Sequence, residues 1–207
     1  MELSANLIRE LREKTGAGVM DCKKALAETH GDFEKAVKLL HERGAAQAAK
    51  KAARVASEGS IGSYIHAGGK LGVLVEINCE SDFVAKTADF QTLIKEIAMQ
   101  IAASNPRCVK REDLSPEIIA QERQIYVAQA AGKPEAVVTK IVEGKLDKFY
   151  RDACLMEQSW IRDPNRTIAD LIGENVGKLG EKIEVRRFVR FQLGEGAAAS
   201  AGDGAQG

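Results

Sequence analysis

The spacing of its strand-forming runs constrains this chain more than any other feature. Residues 60–66 alternate, with Ile61, Ser63 and Ile65 on one face, and residues 71–77 (LGVLVEI) form a run apolar enough for a central strand. Gly68 and Gly69 lie between the two runs, and β-rich runs joined by such a pair predict a hairpin. A third candidate lies near the other end of the chain, where Ile183, Val185, Val189 and Phe191 alternate with Glu184, Arg186, Arg190 and Gln192. The sheet is therefore expected to be small, antiparallel and closed by the C-terminal strand. Helices must fill the gap, so the fold class is α+β.

The helices announce themselves by period and punctuation. Phe90, Leu93, Ile94, Ile97, Ala98 and Ile101 make one apolar stripe that stops at Asn105-Pro106. Ser115-Pro116 is an N-cap followed by proline at the first helical position, opening a helix that runs to Gly132; Pro134 opens another reaching Cys154. The two form an antiparallel helical hairpin over residues 115–154, and the polarity of its first helix predicts that it projects into solvent. Thr167 to Asp170 has the form of a capping box at the start of a last short helix.

Residues 1–44 read as three short helices. Ser4 is expected to cap the first, with Leu7, Ile8 and Leu11 inward and Gly16 as its stop. A Gly16-Ala17-Gly18 turn leads to a second helix from Val19, and Asp32 caps a third that ends before Gly44. Residues 45–56, rich in alanine with Lys50, Lys51 and Arg54, are expected to be a helical linker. Residues 57–193 then form the α+β core, and residues 194–207 are expected to be a disordered tail.

Composition excludes several functions. Thirty basic and thirty acidic side chains in 207 residues give zero formal charge. That argues against direct nucleic-acid binding and against an anionic membrane surface, both of which draw on surplus Lys and Arg. No run approaches the ~20 apolar residues of a membrane span, and residues 1–4 lack a signal-peptide pattern. Cys22, Cys79, Cys108 and Cys154 are scattered, which fits reduced thiols in the cytoplasm, and with three separated histidines no metal site is expected. No phosphate loop and no Gly-x-Gly-x-x-Gly after a strand is present, so no cofactor is implied.

Two stretches do not read as ordinary structure. In residues 78–85 (NCESDFVA) the chain leaves an apolar strand and enters a helix, carrying Phe83 beside Asp82. Phe83 either folds back under its own loop or protrudes as a wedge able to enter a partner's groove. Val19 and Met20 begin a helix straight after the glycine turn, with Lys23 and Lys24 one turn on; they are either bundle core with solvated lysines or a contact patch. Cys79, at a strand end, is either an inert buried thiol or a reactive one.

At these residues the chain closely resembles the bacterial elongation factor Ts family. Residues 11–26 (LREKTGAGVMDCKKAL) match its N-terminal signature, and residues 76–86 (EINCESDFVAK) match its Thr-Asp-Phe-Val loop, with Ser81 in place of the usual threonine. Residues 97–104 (IAMQIAAS) and 163–168 (DPNRTI) are further echoes. The resemblance runs from about Asn6 to Gly194.

It implies a guanine-nucleotide exchange factor for elongation factor Tu, acting in translation elongation without making or breaking bonds. The N-terminal bundle resembles a ubiquitin-associated-type domain docking through Val19, Met20, Lys23 and Lys24. Residues Ser81, Asp82, Phe83 and Val84 match the element that wedges into the GTPase domain near its magnesium and phosphates, and the hairpin resembles a coiled-coil arm. Long family members carry two related core halves; only one is present here, so a homodimer is expected to supply the second. Two other classes stay open on residues alone: an adaptor using only the bundle, and a thiol enzyme built on Cys79.

Overall fold

The computed structural model describes residues 4–195, so the expected tail lies, beyond Glu195, outside the described residues. The chain is α+β. Helices α1 (Ala5–Thr15), α2 (Val19–Glu28) and α3 (Phe33–Lys51) enclose a separate cluster of seven buried side chains, among them Leu11, Cys22, Leu26 and Leu40. Gly16 ends α1 in the left-handed region (φ 68°), its N–H donating to the Arg12 carbonyl. Asp32 caps α3 by accepting from the Lys35 N–H at 3.1 Å. Ser4 occupies the N-cap of α1 but its side chain accepts no capping bond; the cap is its carbonyl, which accepts from Leu7 and Ile8.

Gly44 does not end the third helix, contrary to the expectation from its residue type. α3 continues through it to Lys51, so residues 45–51 are helical and continuous with the bundle helix. A mid-helix glycine costs about 1 kcal/mol against alanine, and here the missing side chain has a use. A Cβ at Gly44 would stand 3.1 Å from the Gly173 carbonyl oxygen, and one at Gly173 would stand 3.3 Å from the Ala45 nitrogen. The two glycines are the crossing point at which α3 lies on a later helix, and Ala48 packs against the main core beyond it.

Strands β1 (Glu58–Ile65) and β2 (Leu71–Cys79) form the antiparallel hairpin, turned by Gly68 and Gly69 at φ 90° and 69°. The inner face of β2 is Val73, Val75, Ile77 and Cys79, all buried. Ile61, Ser63 and Ile65 turn out to be the outer face of β1. Gly62 faces inward instead, because a Cβ there would lie 1.9 Å from Ile94 Cγ2: the covering helix sits directly on the strand.

That helix is α5 (Ala88–Ser104), which follows a single-turn α4 (Asp82–Ala85) and buries Phe90, Ile97 and Ile101 completely. Each such side chain contributes about 1.5–3 kcal/mol. α6 (Pro116–Gln129) and α7 (Glu135–Ala153) pack on each other, with the Lys145 ammonium 5.5 Å from the Tyr126 ring centre; α6 buries none of its own residues. A short ribbon, β3 (Ser159–Trp160) and β4 (Asp163–Thr167), was not foreseen from the sequence. It leads into α8 (Ile168–Leu179), opened by the expected capping box of Thr167 and Asp170. The last strand, β5 (Ile183–Gln192), pairs antiparallel with β2, giving the order β1-β2-β5.

Candidate partner-binding surface

The turn between β2 and α4 is built so that one side chain stands out and its neighbours are held. Ser81 is the N-cap of α4: its hydroxyl oxygen accepts from the Val84 N–H at 3.3 Å while its O–H donates to Glu181 at 2.6 Å. The same Glu181 carboxylate accepts from the backbone N–H of Glu80 at 3.1 Å and of Ser81 at 3.0 Å. In return the Glu80 carboxylate accepts from the Lys182 N–H at 2.6 Å and pairs with Arg54 at 3.3 Å. Two acidic side chains thus tie the β2–α4 turn to the α8–β5 turn, each satisfying backbone donors of the other segment. Hydrogen bonds to charged groups are the stronger kind.

Within α4, Val84 and Ala85 are buried and belong to the main core. Val84, expected among the contact residues, is only 6% exposed; it anchors the turn and offers a partner nothing. Ser81 likewise spends its hydroxyl inside the turn. Phe83 is 77% exposed. It does not fold back under its loop. Asp82 is exposed beside it and pairs with Lys86 at 2.7 Å, an i,i+4 bond that holds the Asp82 carboxyl below its ordinary range.

Val19 and Met20 open α2 and are 50% and 63% exposed, whereas Cys22, Ala25 and Leu26 supply the buried face of that helix. Lys23 and Lys24 are exposed on the following turn. The helix has Gly18 at its N-cap and no capping side chain. These four residues ride on the small bundle, packed on α1 and α3, while Phe83 rides on the main core, where α4 packs on β1, β2 and α5. The α3–α8 crossing joins the two bodies, helped by His41 Nε2 at 2.8 Å from Glu174 and by the Lys51 ammonium, which donates to the Gly180 carbonyl at 2.6 Å. Sequence reasoning did not single out Glu181 or Glu80.

Nothing at the turn is arranged for bond chemistry. The Cys79 thiol is fully buried, donates to the Ser81 carbonyl at 3.1 Å, and is pushed up by its burial and by Glu181, the opposite of an activated nucleophile. Among the described residues no group of His, Cys, Asp and Glu is placed to hold a metal ion, and no helix is long and apolar enough to cross a membrane.

A family profile described as "Elongation factor TS" matches residues 2–197. The chain is 56% identical over 203 residues to the elongation factor Ts of Thermoanaerobacter sp. strain X514, covering 97% of this chain and 100% of that protein. It is 58% identical over 197 residues to that of Desulforamulus reducens, covering 94% of this chain and 91% of the relative. Against the Geobacter metallireducens protein it is 54% identical over 200 residues, 96% of this chain and 93% of the other. With a matched profile over nearly its whole length and relatives this similar end to end, the chain belongs to the elongation factor Ts family.

Proposed function

We propose that this chain frees GDP from elongation factor Tu by driving Phe83 into the GTPase domain near its magnesium and phosphates. Family membership makes the chain a nucleotide exchange factor for elongation factor Tu in translation elongation, not a catalyst of bond chemistry. The wedge is the finer reading, and one observation carries it. Phe83 is a large apolar ring left in water on a four-residue helix whose remaining apolar side chains are buried and whose N-terminal turn is tied down from both sides. Such a group gains about 1.5–3 kcal/mol when a partner buries it, and little is lost in ordering, because the turn is already held.

Exchange then follows from linkage. If docking of the factor strains the nucleotide site, each 1.4 kcal/mol of coupling weakens GDP about tenfold. The coupling is reciprocal, so GDP weakens the factor to the same extent and incoming nucleotide releases it. Val19, Met20, Lys23 and Lys24 hold a second part of the GTPase domain through the bundle, which we read as a ubiquitin-associated-type module over residues 1–44. The hairpin of α6 and α7 is read as a coiled-coil arm. The action is cytoplasmic, and zero net charge supports a protein partner with no direct nucleic-acid contact.

The outer face of the sheet supports the homodimer. Ile61 and Ile65 of β1, Leu74 of β2, and Val189 and Phe191 of β5 are all exposed, and the strand register aligns them across one face. An apolar sheet face of this kind suits burial against a second copy. A monomer by light scattering at micromolar concentration, still fully active, is the result that removes the dimer.

Stopped-flow release of fluorescent GDP from elongation factor Tu tests the wedge. Phe83→Ala is expected to slow stimulated release about 30-fold, the equivalent of about 2 kcal/mol, with the melting temperature unchanged. Unchanged release in that variant overturns the assignment.

A further inference from the structure

The root of the helical hairpin holds two thiols against each other. Cys108, in the segment leaving α5, and Cys154, one residue past α7, are paired in a parallel β-bridge with their sulfurs 3.6 Å apart. Backbone bonds hold the pairing on both sides: the Arg107 N–H donates to the Ala153 carbonyl at 2.8 Å, Leu155 to Cys108 at 3.0 Å, and Met156 to Val109 at 3.0 Å. Bridge partners sit about 5 Å apart in the hydrogen-bonding direction, inside the window of roughly 4.4–6.8 Å between Cα atoms that a disulfide spans. A small rotation of either side chain closes the gap. Leu114, Phe149 and Ala153 complete an apolar cluster around the pair. Among the described residues Cys22 and Cys79 have no cysteine beside them; each donates to a backbone carbonyl, of Ala17 and Ser81 respectively.

We propose that Cys108 and Cys154 form a reversible redox staple, an intramolecular disulfide made by exchange with a low-molecular-weight disulfide such as glutathione disulfide. The Cys108 thiolate, from the less enclosed of the two thiols, attacks one sulfur of the small disulfide and expels the other half as a thiolate. The Cys154 thiolate then attacks Cys108 Sγ, expelling the second half. One protein S–S bond forms, the small disulfide is reduced by two electrons to two thiols, and these take the two protons that the cysteines release. Burial pushes both thiols up, Cys154 to about 12, while the hydrogen bond between them works in opposite senses, lowering Cys108 and raising Cys154, so the pairing favours ionisation at Cys108. A reducing compartment keeps the pair as thiols, and a rise in the disulfide pool closes it. The loop it closes contains all of α6 and α7, so the staple fixes the hairpin where it leaves the core.

The test is incubation of the folded full chain with excess glutathione disulfide, acid quenching, denaturation and alkylation of the remaining thiols, and non-reducing peptide mass spectrometry. The expected product is a single cross-linked peptide pair joining Cys108 to Cys154, lighter than the sum of its parts by two hydrogens and lost on adding dithiothreitol. Cys22 and Cys79 should remain alkylatable, and Cys108→Ser and Cys154→Ser should each abolish the link. The oxidised chain should melt about 5–10 °C higher than the reduced one. Stable glutathione adducts without a cross-link, a link through Cys22 or Cys79, or a cross-linked chain that melts no higher would each overturn the proposal. None of these results depends on exchange activity.

Discussion

Phe83 and Met20 are both exposed apolar side chains in the first turn of a helix, yet they are held in different ways. Phe83 stands on a turn closed by Ser81 and by the crossed carboxylates of Glu80 and Glu181, with Val84 and Ala85 sunk into the larger core. Met20 stands on a helix without a capping side chain, in a bundle whose own core is seven side chains, and reaches the rest of the molecule through the Gly44–Gly173 crossing. The first stands on a turn tied down from both sides, and the second on a helix of a smaller bundle with its own buried cluster. Pre-organisation is what makes the first the better candidate for the proposed wedge, because energy gained at its tip would not be lost in ordering the turn beneath it.

Glu181→Ala is the variant that breaks this contrast most sharply. It removes the acceptor for two backbone N–H groups and the Ser81 hydroxyl. Urea unfolding is expected to show a loss of about 1.5–3 kcal/mol, and GDP release should slow about tenfold although Phe83 is intact. Full exchange activity in Glu181→Ala, at temperatures where the chain is folded, would mean that the tied turn does not matter. Gly44→Leu comes next. Its side chain has to enter a space where a bare Cβ already lies 3.1 Å from a backbone oxygen, an overpacking cost of about 1–3 kcal/mol. Because that strain falls between bundle and core, it should weaken binding to elongation factor Tu more than it slows release at saturation. Met20→Ala is smaller again. Loss of about 1 kcal/mol of partner burial should raise the dissociation constant about fivefold and leave saturated release unchanged.

Much of this arrangement is legible from residue order, and the exceptions share a cause. The Gly68-Gly69 turn, the Asp32 cap, the α5 stripe and the Thr167–Asp170 box are all local, and each is realised where its residues stand. Gly44 misleads because a glycine that ends a helix and one that lets another helix approach have the same side chain; only Gly173, far along the chain, tells them apart. Ile61, Ser63 and Ile65 alternate as a buried face would, but whether that face is buried depends on Ile94 occupying the space at Gly62. At the site, Phe83 is conspicuous in the sequence while Glu181 is not, since a lone glutamate in a polar turn carries no local sign of what it will bind about a hundred residues back. Val84 misleads in the other direction: adjacency to Phe83 suggests a shared role, but one helical step turns it from water into the core.

The finest distinction between the Phe83 turn and the Met20 helix is electrical. Glu80 is held below the ordinary carboxyl range first by the Lys182 backbone N–H and then by Arg54. A carboxyl whose native value is depressed binds a proton less readily folded than unfolded, so its contribution to stability is complete above the unfolded value and is lost as pH falls through the native one. In Glu80→Gln the charge is absent at every pH while the Lys182 donor still has an acceptor. The variant should therefore melt slightly below the parent chain at neutral pH, and the gap should shrink as the pH drops below about 4.5 and close in stronger acid. Asp82, lowered by Lys86, follows the same sign but ties nothing across the turn, so Asp82→Asn should show a smaller gap. A Glu80→Gln difference that is constant from neutral to acid pH would place the work of Glu80 in shape and not in charge, and the two tips would then differ only in packing.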